Sequence, residues 1–191
     1  QRHNRSTALD GRWGIGKYGL VSGFAARTFT PGLTGPSSAY RIGAERSAPS
    51  WDISAAYTDI GRDFNPEVGF LNPRNGWRKP EMSSLLRIRP EDFIGIQELR
   101  PHVSYRGYWN PDGFQETGYA HVDNHWEFRS GWEVHTGTNL TREGVLEAFS
   151  ISGVPIPPGT YDHQEIQLLM YTPQSKAVSY DNRFVIGGFF G

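Results

Sequence analysis

The sequence contains no cysteine, which excludes a disulfide framework and any thiolate metal site. Lysine is nearly missing too. Of 19 basic residues only Lys17, Lys79 and Lys176 are lysines, and the arginines that replace them suit fixed hydrogen bonding to carboxylates or phosphates. Charge of one sign is absent: 19 basic and 20 acidic residues give a net charge of -1, so no global field points to nucleic acid. No apolar run reaches the roughly 18 residues that suggest a transmembrane helix. Heptads, tandem repeats and low-complexity linkers are also missing. A transmembrane strand is not excluded, because it needs only about ten residues with one apolar face.

What remains is the composition of an all-β chain. Glycine supplies 23 of 191 residues, aromatics 14%, and the mean hydropathy is -0.55. The pattern is most explicit at 118–138, GYAHVDNHWEFRSGWEVHTGT. The even positions include Ala120, Val122, Trp126, Phe128, Trp132 and Val134, while the odd ones include His121, Asp123, His125, Glu127, Arg129, Glu133 and His135. Successive strand side chains point to opposite faces, so this parity predicts a long extended strand with an apolar and a charged face. A hairpin at 129–131 that keeps the parity is the alternative.

The same alternation recurs elsewhere. Tyr40, Ile42 and Ala44 oppose Arg41, Gly43 and Glu45, and Trp51, Ile53, Ala55 and Tyr57 oppose Asp52, Ser54, Ala56 and Thr58. Val103, Tyr105, Gly107 and Trp109 oppose His102, Ser104 and Arg106, and Val178, Tyr180, Phe184 and Ile186 oppose Ser179, Asp181 and Arg183. Turn chemistry separates the runs at 30–38, at the NPDG of 110–113 and at the IPPGT of 156–160. Residues 10–29 read as one Gly-rich strand with bends. TREGVLEAF, 141–149, allows at most one short helical turn, with Thr141 as its N-cap and Gly144 against it.

The expected fold is therefore all-β: an antiparallel up-and-down meander over a single domain, 1–191. Which medium meets the apolar faces decides between a transmembrane β-barrel and a soluble β-sandwich. The faces are rich in Trp, Tyr, Phe, Gly and Ala and poor in Leu, a mixture that lipid tolerates better than a close-packed core. A strand of about twenty residues, about 65 Å long at 3.3 Å per residue, points the same way. The barrel is preferred, and Arg41, Glu45, His121, Asp123, His125, Glu127, Arg129 and Glu133 are then its lumen-facing polar residues. In the sandwich reading, a carbohydrate-binding domain would use Trp51, Trp109, Trp126 and Trp132 as stacking platforms.

Chemistry-bearing motifs are few. His121, Asp123, His125 and Glu127 form an HxDxHxE array on one strand face, where two histidines can share zinc with a carboxylate from a neighbouring strand. A wet lumen needs polar side chains at these same positions, so the expectation is no metal and no cofactor. On one strand Glu127 and Glu133 would stand about 20 Å apart, too far for a glycosidase pair. With no nucleophile elbow, phosphate loop or HExxH present, the expectation is that the chain is not an enzyme.

The loop 63–82 is the most distinctive segment, with Pro66, Pro73 and Pro80 forcing an irregular path and Phe64, Phe70 and Trp77 needing cover. YTDIGRDFNPEVGFLNPRNGWRK, followed by FSISGVPIPPGTY and the terminal GGFFG, resembles the bacterial family called domain of unknown function 5916 across nearly the whole chain. Its hallmark loop corresponds to Asp63, Phe64, Asn65, Pro66, Glu67, Val68, Gly69 and Phe70. Asn72 and Pro73 precede Arg74 where the family usually places Arg earlier. The resemblance implies an outer-membrane β-barrel domain of a Gram-negative bacterium, usually C-terminal to a family 9 type carbohydrate-binding-like domain. It carries no assigned catalytic residues. The expected partners are outer-membrane lipid and, through an N-terminal domain, glycans, with no nucleic acid. A barrel fragment incomplete at both ends, serving anchoring or transport, is the resulting expectation.

Overall fold

The structure is a computed structural model that describes residues 3–69 and 76–190. Among the described residues twelve strands follow one another: β1 Arg5–Ile15, β2 Gly19–Phe29, β3 Ser38–Ser47, β4 Trp51–Ile60, β5 Trp77–Leu86, β6 Ile96–Trp109, β7 Gln115–Phe128, β8 Glu133–Val145, β9 Phe149–Ile151, β10 Val154–Ile156, β11 Gly159–Tyr171 and β12 Asp181–Gly187. Ten of them form one antiparallel sheet in the order β1-β2-β3-β4-β5-β6-β7-β8-β11-β12, and β9 and β10 make a separate hairpin. Among the described residues there is no helix. The sheet is an open up-and-down meander with β1 and β12 as its two edges.

The expected long strand at 118–138 is instead a hairpin. β7 and β8 pair Glu127 with Glu133 and His125 with His135 around a tight turn in which Gly131 adopts φ 84°. Paired residue numbers sum to an even value, so odd positions face odd ones and the parity runs unbroken through the turn. Residues 10–29 divide likewise, into β1 and β2, with Gly16 at φ 60° in the turn. Glycine suits both positions because the left-handed region carries no Cβ penalty there.

Two further readings change. Within 141–149, allowed one helical turn, Thr141 to Val145 instead end β8, because Gly144 and pairing with β11 favour extension over a lone turn even with Thr141 as its cap. Within 63–82 only the first part is a loop, since β5 begins at Trp77. The β5–β6 ladder is interrupted between Arg78/Trp109 and Glu81/Arg106, next to Pro80, which has no N–H to donate. The NPDG turn forms as read: the Asn110 side-chain oxygen accepts the N–H groups of Asp112 and Phe114 at 3.1 and 2.9 Å, and Gly113 takes φ 89°.

Register carries side-chain parity from strand to strand. Arg41, Thr58, Lys79, Tyr108, Thr117 and Glu143 share one face with His102, Asp123 and Gln167. The opposite face collects Leu9, Val21, Ile42, Ile53, Met82, Val103, Val122, Leu140, Ile166 and Phe184, at least one from every strand of the sheet.

The apolar face is uncovered. Among the described residues only Ala39, Ala48, Ile60, Ile96, Val145 and Ile156 are buried hydrophobics, whereas Leu9, Ile42, Val122, Ile166 and Phe184 are 78, 60, 50, 64 and 56% exposed. The chain presents 12744 Å² to its surroundings. A compact folded monomer of this mass would present about 9,200 Å². Among the described residues no second layer packs on the sheet.

Candidate functional site

Seven of the eight polar residues singled out from the sequence share one face of the sheet: Arg41 and Glu45 on β3, His121, Asp123, His125 and Glu127 on β7, and Glu133 on β8. Arg129 does not join them. It sits in the β7–β8 turn, where its guanidinium donates to the Glu91 carbonyl and its backbone N–H to Gly95 O at 2.9 Å, so it ties two turns together.

The face divides into two patches. On β3 to β5 the charges neutralise one another: Glu81 accepts from Arg41 and from Lys79, both at 2.6 Å. Arg41 also donates to Thr58 at 2.9 Å, Ser54 and Ser83 bond across strands at 2.8 Å, and Arg87 donates to Asp52 at 2.5 Å. Small residues, Gly43 and Ala56, leave a cleft of about 290 Å³ beside Arg41, Glu45, Glu81 and Arg106.

The second patch, on β6, β7, β8 and β11, is rich in histidine. His102 Nε2 lies 3.2 Å from His121 Nε2, and His121 Nε2 lies 3.6 Å from an Asp123 carboxylate oxygen. His125 and His135 stack with ring centroids 3.5 Å apart, and His135 bonds Glu133 at 2.6 Å. Arg100 bridges Glu98, at 3.1 Å, and Glu127. Gln167 on β11 donates to Asp123 at 3.0 Å. Asp123 is buried, and one of its oxygens, Oδ1, has no partner.

Glu127 and Glu133 do not stand far apart along one strand. They are cross-strand partners, since the hairpin folds six positions of sequence back on itself. Each is nonetheless committed, Glu127 to Arg100 and Glu133 to His135, so neither resembles a free acid beside a free nucleophile.

The sequence put His102 and His135 on polar faces, but nothing in it said that β6 and β8 flank β7 with His102 opposite Asp123 and His135 opposite His125. Asn139 and Gln167 escaped notice altogether. Both are neutral amides whose role becomes visible only through the charged side chains they touch.

The loop after β4 folds back on the end of the sheet. The Asp63 carboxylate accepts the Gly35 N–H at 2.5 Å, Asp63 N–H donates to Pro36 O at 2.8 Å, and Asn65 N–H donates to the Thr28 hydroxyl at 3.0 Å. Asn4 donates to Asn65 O at 2.9 Å. The approach is close enough that a Cβ on Gly61 would stand 2.4 Å from Pro36 O. Asp63 and Asn65 thus dock the loop, Phe64 and Pro66 close local turns within it, Val68 is 89% exposed, and Phe70 lies outside the described residues. Comparison with family models, curated proteins and solved structures finds no match for this chain.

Proposed function

We propose that this chain is a segment of an outer-membrane β-barrel, non-enzymatic, that anchors or serves transport for a glycan-binding module. One observation carries the reading: the apolar face is continuous over ten strands, exposed, and without a covering layer among the described residues. At about 25 cal/mol per Å² such a surface is too costly to leave in water. A hydrocarbon environment removes that cost on every strand at once.

The ends of the strands support the same medium. Trp13, Trp51 and Trp126 lie toward one end of the apolar face, and Phe29, Tyr40, Tyr57 and Trp109 toward the other. Amphipathic rings favour the headgroup level, and a band bounded by aromatics at both ends is what a membrane barrel presents. The charges on this face lie near strand ends, and two pairs of them neutralise each other, Arg142 with Asp162 through two bonds of 2.7 Å and Arg78 with Asp59 at 3.4 Å. In this reading the polar face lines the lumen, and strands contributed from outside this segment pair with the free edges of β1 and β12. The link to a glycan-binding module rests on the resemblance of the FNPEVGF loop to domain of unknown function 5916.

The test is fractionation of the intact parent protein, with boiled and unboiled outer-membrane samples compared on a gel. A heat-modifiable band in that fraction is the expected result. A protein soluble without detergent, whose Trp fluorescence shifts with sugar, would instead place these faces in a carbohydrate-binding sandwich.

A further inference from the structure

The histidine patch contains an arrangement that ordinary lumen polarity does not require. His102 Nδ1 lies 3.1 Å from the backbone oxygen of Arg100, which can only accept, so Nδ1 carries the proton. His121 Nδ1 lies 2.6 Å from Asn139 Oδ1. The Asn139 amide is oriented by its neighbours, since its nitrogen donates to Glu165 at 3.1 Å and its oxygen also accepts the Tyr119 hydroxyl at 2.8 Å. Nδ1 of His121 is therefore the protonated nitrogen as well. Both neutral rings then aim Nε2 lone pairs at each other across 3.2 Å. Two lone pairs held face to face repel unless a cation lies between them.

We propose that His102, His121 and Asp123 bind a divalent transition-metal cation of the zinc class. Tetrahedral zinc with bonds of about 2.0 to 2.1 Å sets its ligand atoms about 3.3 Å apart. The separations of 3.2 Å between the two Nε2 atoms and 3.6 Å from His121 Nε2 to Asp123 Oδ2 bracket that edge. The third ligand is a buried carboxylate, 2% exposed: its Oδ2, which faces His121, accepts from Gln167 at 3.0 Å, and its other oxygen, Oδ1, has no hydrogen-bond partner. A buried carboxylate oxygen left unpaired in this way is costly, and a cation removes the cost.

The surroundings complete a ligand-orienting shell. Arg100 O fixes His102, Asn139 fixes His121, and Gln167 holds Asp123 at 3.0 Å, as outer partners commonly do for metal-bound imidazole and carboxylate. These partners come from β6, β8 and β11, so the ion would lock together the middle of four strands. Three protein ligands leave a fourth position, open to the polar face, for water or an anion. The site lies on the polar face, whatever medium meets the other side of the sheet.

A second set, Asp123 with His125 and His135, is near enough to compete for the carboxylate. It is the poorer one. The two rings lie parallel, 7° apart and stacked, so their in-plane lone pairs run side by side and do not point to one centre, and His135 Nε2 is already held by Glu133 at 2.6 Å.

The test uses the intact protein, stripped with chelator and titrated with zinc alone by calorimetry, with bound metal counted by elemental analysis. Uptake of one zinc per chain is expected, with affinity falling at least tenfold in His102→Gln, His121→Gln and Asp123→Asn, and about 10- to 100-fold in Asn139→Ala. His163→Gln, remote on β11, keeps wild-type binding. Cobalt substitution gives a readout free of folding concerns: visible d–d bands of a low-symmetry site in the wild-type protein, lost on adding zinc. Failure of the wild-type protein to take up either metal would overturn the proposal and leave a shared proton between His102 and His121. So would zinc binding that survives His102→Gln but is lost in His135→Gln, which would place the ion in the stacked pair.

Discussion

The two faces of β7 show opposite tolerances. Val122 on one side is 50% exposed, Trp126 is fixed there by its indole N–H donating to the Thr136 hydroxyl at 2.9 Å, and neighbours as different as Gly118, Ala120 and Phe128 share their face. One residue away, His121, Asp123 and His125 are each held by specific partners on β6, β8 or β11. A face in contact with a fluid apolar medium accepts many shapes but no unpaired charge. A face that carries buried charge accepts charge readily but demands geometry.

The largest expected effect comes from placing a charge on the permissive face. Val122→Arg, at mid-strand, should cost about 2 to 4 kcal/mol in a bilayer and abolish the heat-modifiable band, and Phe184→Arg should behave likewise. Trp126→Arg, nearer the strand end, should cost less. His125→Arg should leave the band in place. Equal tolerance at Val122, Phe184 and His125 would break the comparison between faces.

The next effect belongs to the demanding face. Asp123→Asn keeps size and removes charge, so it should leave the fold intact, by circular dichroism, while weakening zinc binding at least tenfold. Lowering the pH should weaken binding in the wild-type protein as well, because protons compete with the metal for the imidazole nitrogens. Calorimetry at two pH values reads the sign directly.

Smaller still is the self-neutralised patch. Arg41 and Glu81 are 41% and 28% exposed in their side chains, so water screens their attraction, and Arg41→Met should cost no more than about 1 kcal/mol in denaturant unfolding. Ser54→Ala, which removes one hydroxyl pair with Ser83 on a wet face, should change stability by less than about 0.5 kcal/mol. If either rivalled Val122→Arg, the polar face would be a packed core and not a wet one.

The hairpin at Arg129–Trp132 shows how sequence reading succeeds and fails at once. Parity across 118–138 correctly separated His121, Asp123 and Glu133 from Val122, Trp126 and Val134, yet it counted one strand where two exist. A turn that conserves parity is invisible to a period-2 signal, and only the glycine at 131 hinted at it. The same blindness merged β1 with β2. Trp77 to Met82, read as loop because of Pro80, proved to be strand, since a proline beside a ladder gap costs few hydrogen bonds.

The candidate metal centre was half visible. His121 and Asp123 stand two apart and announce themselves, whereas His102 lies 19 positions upstream, indistinguishable from any other polar-face histidine until β6 is laid against β7 in register. Asn139 carried no signal at all.

By itself the sequence determined that strands dominate, the two-sidedness of the alternating runs and the chemical character of their faces, because these follow from a two-residue period that is local in the chain. Which strands are neighbours, where each register falls, and hence which histidine meets which carboxylate were decided only by the tertiary structure. Pairing depends on contacts distant in sequence, and a shift of a strand by two residues would preserve every face while dispersing the whole site.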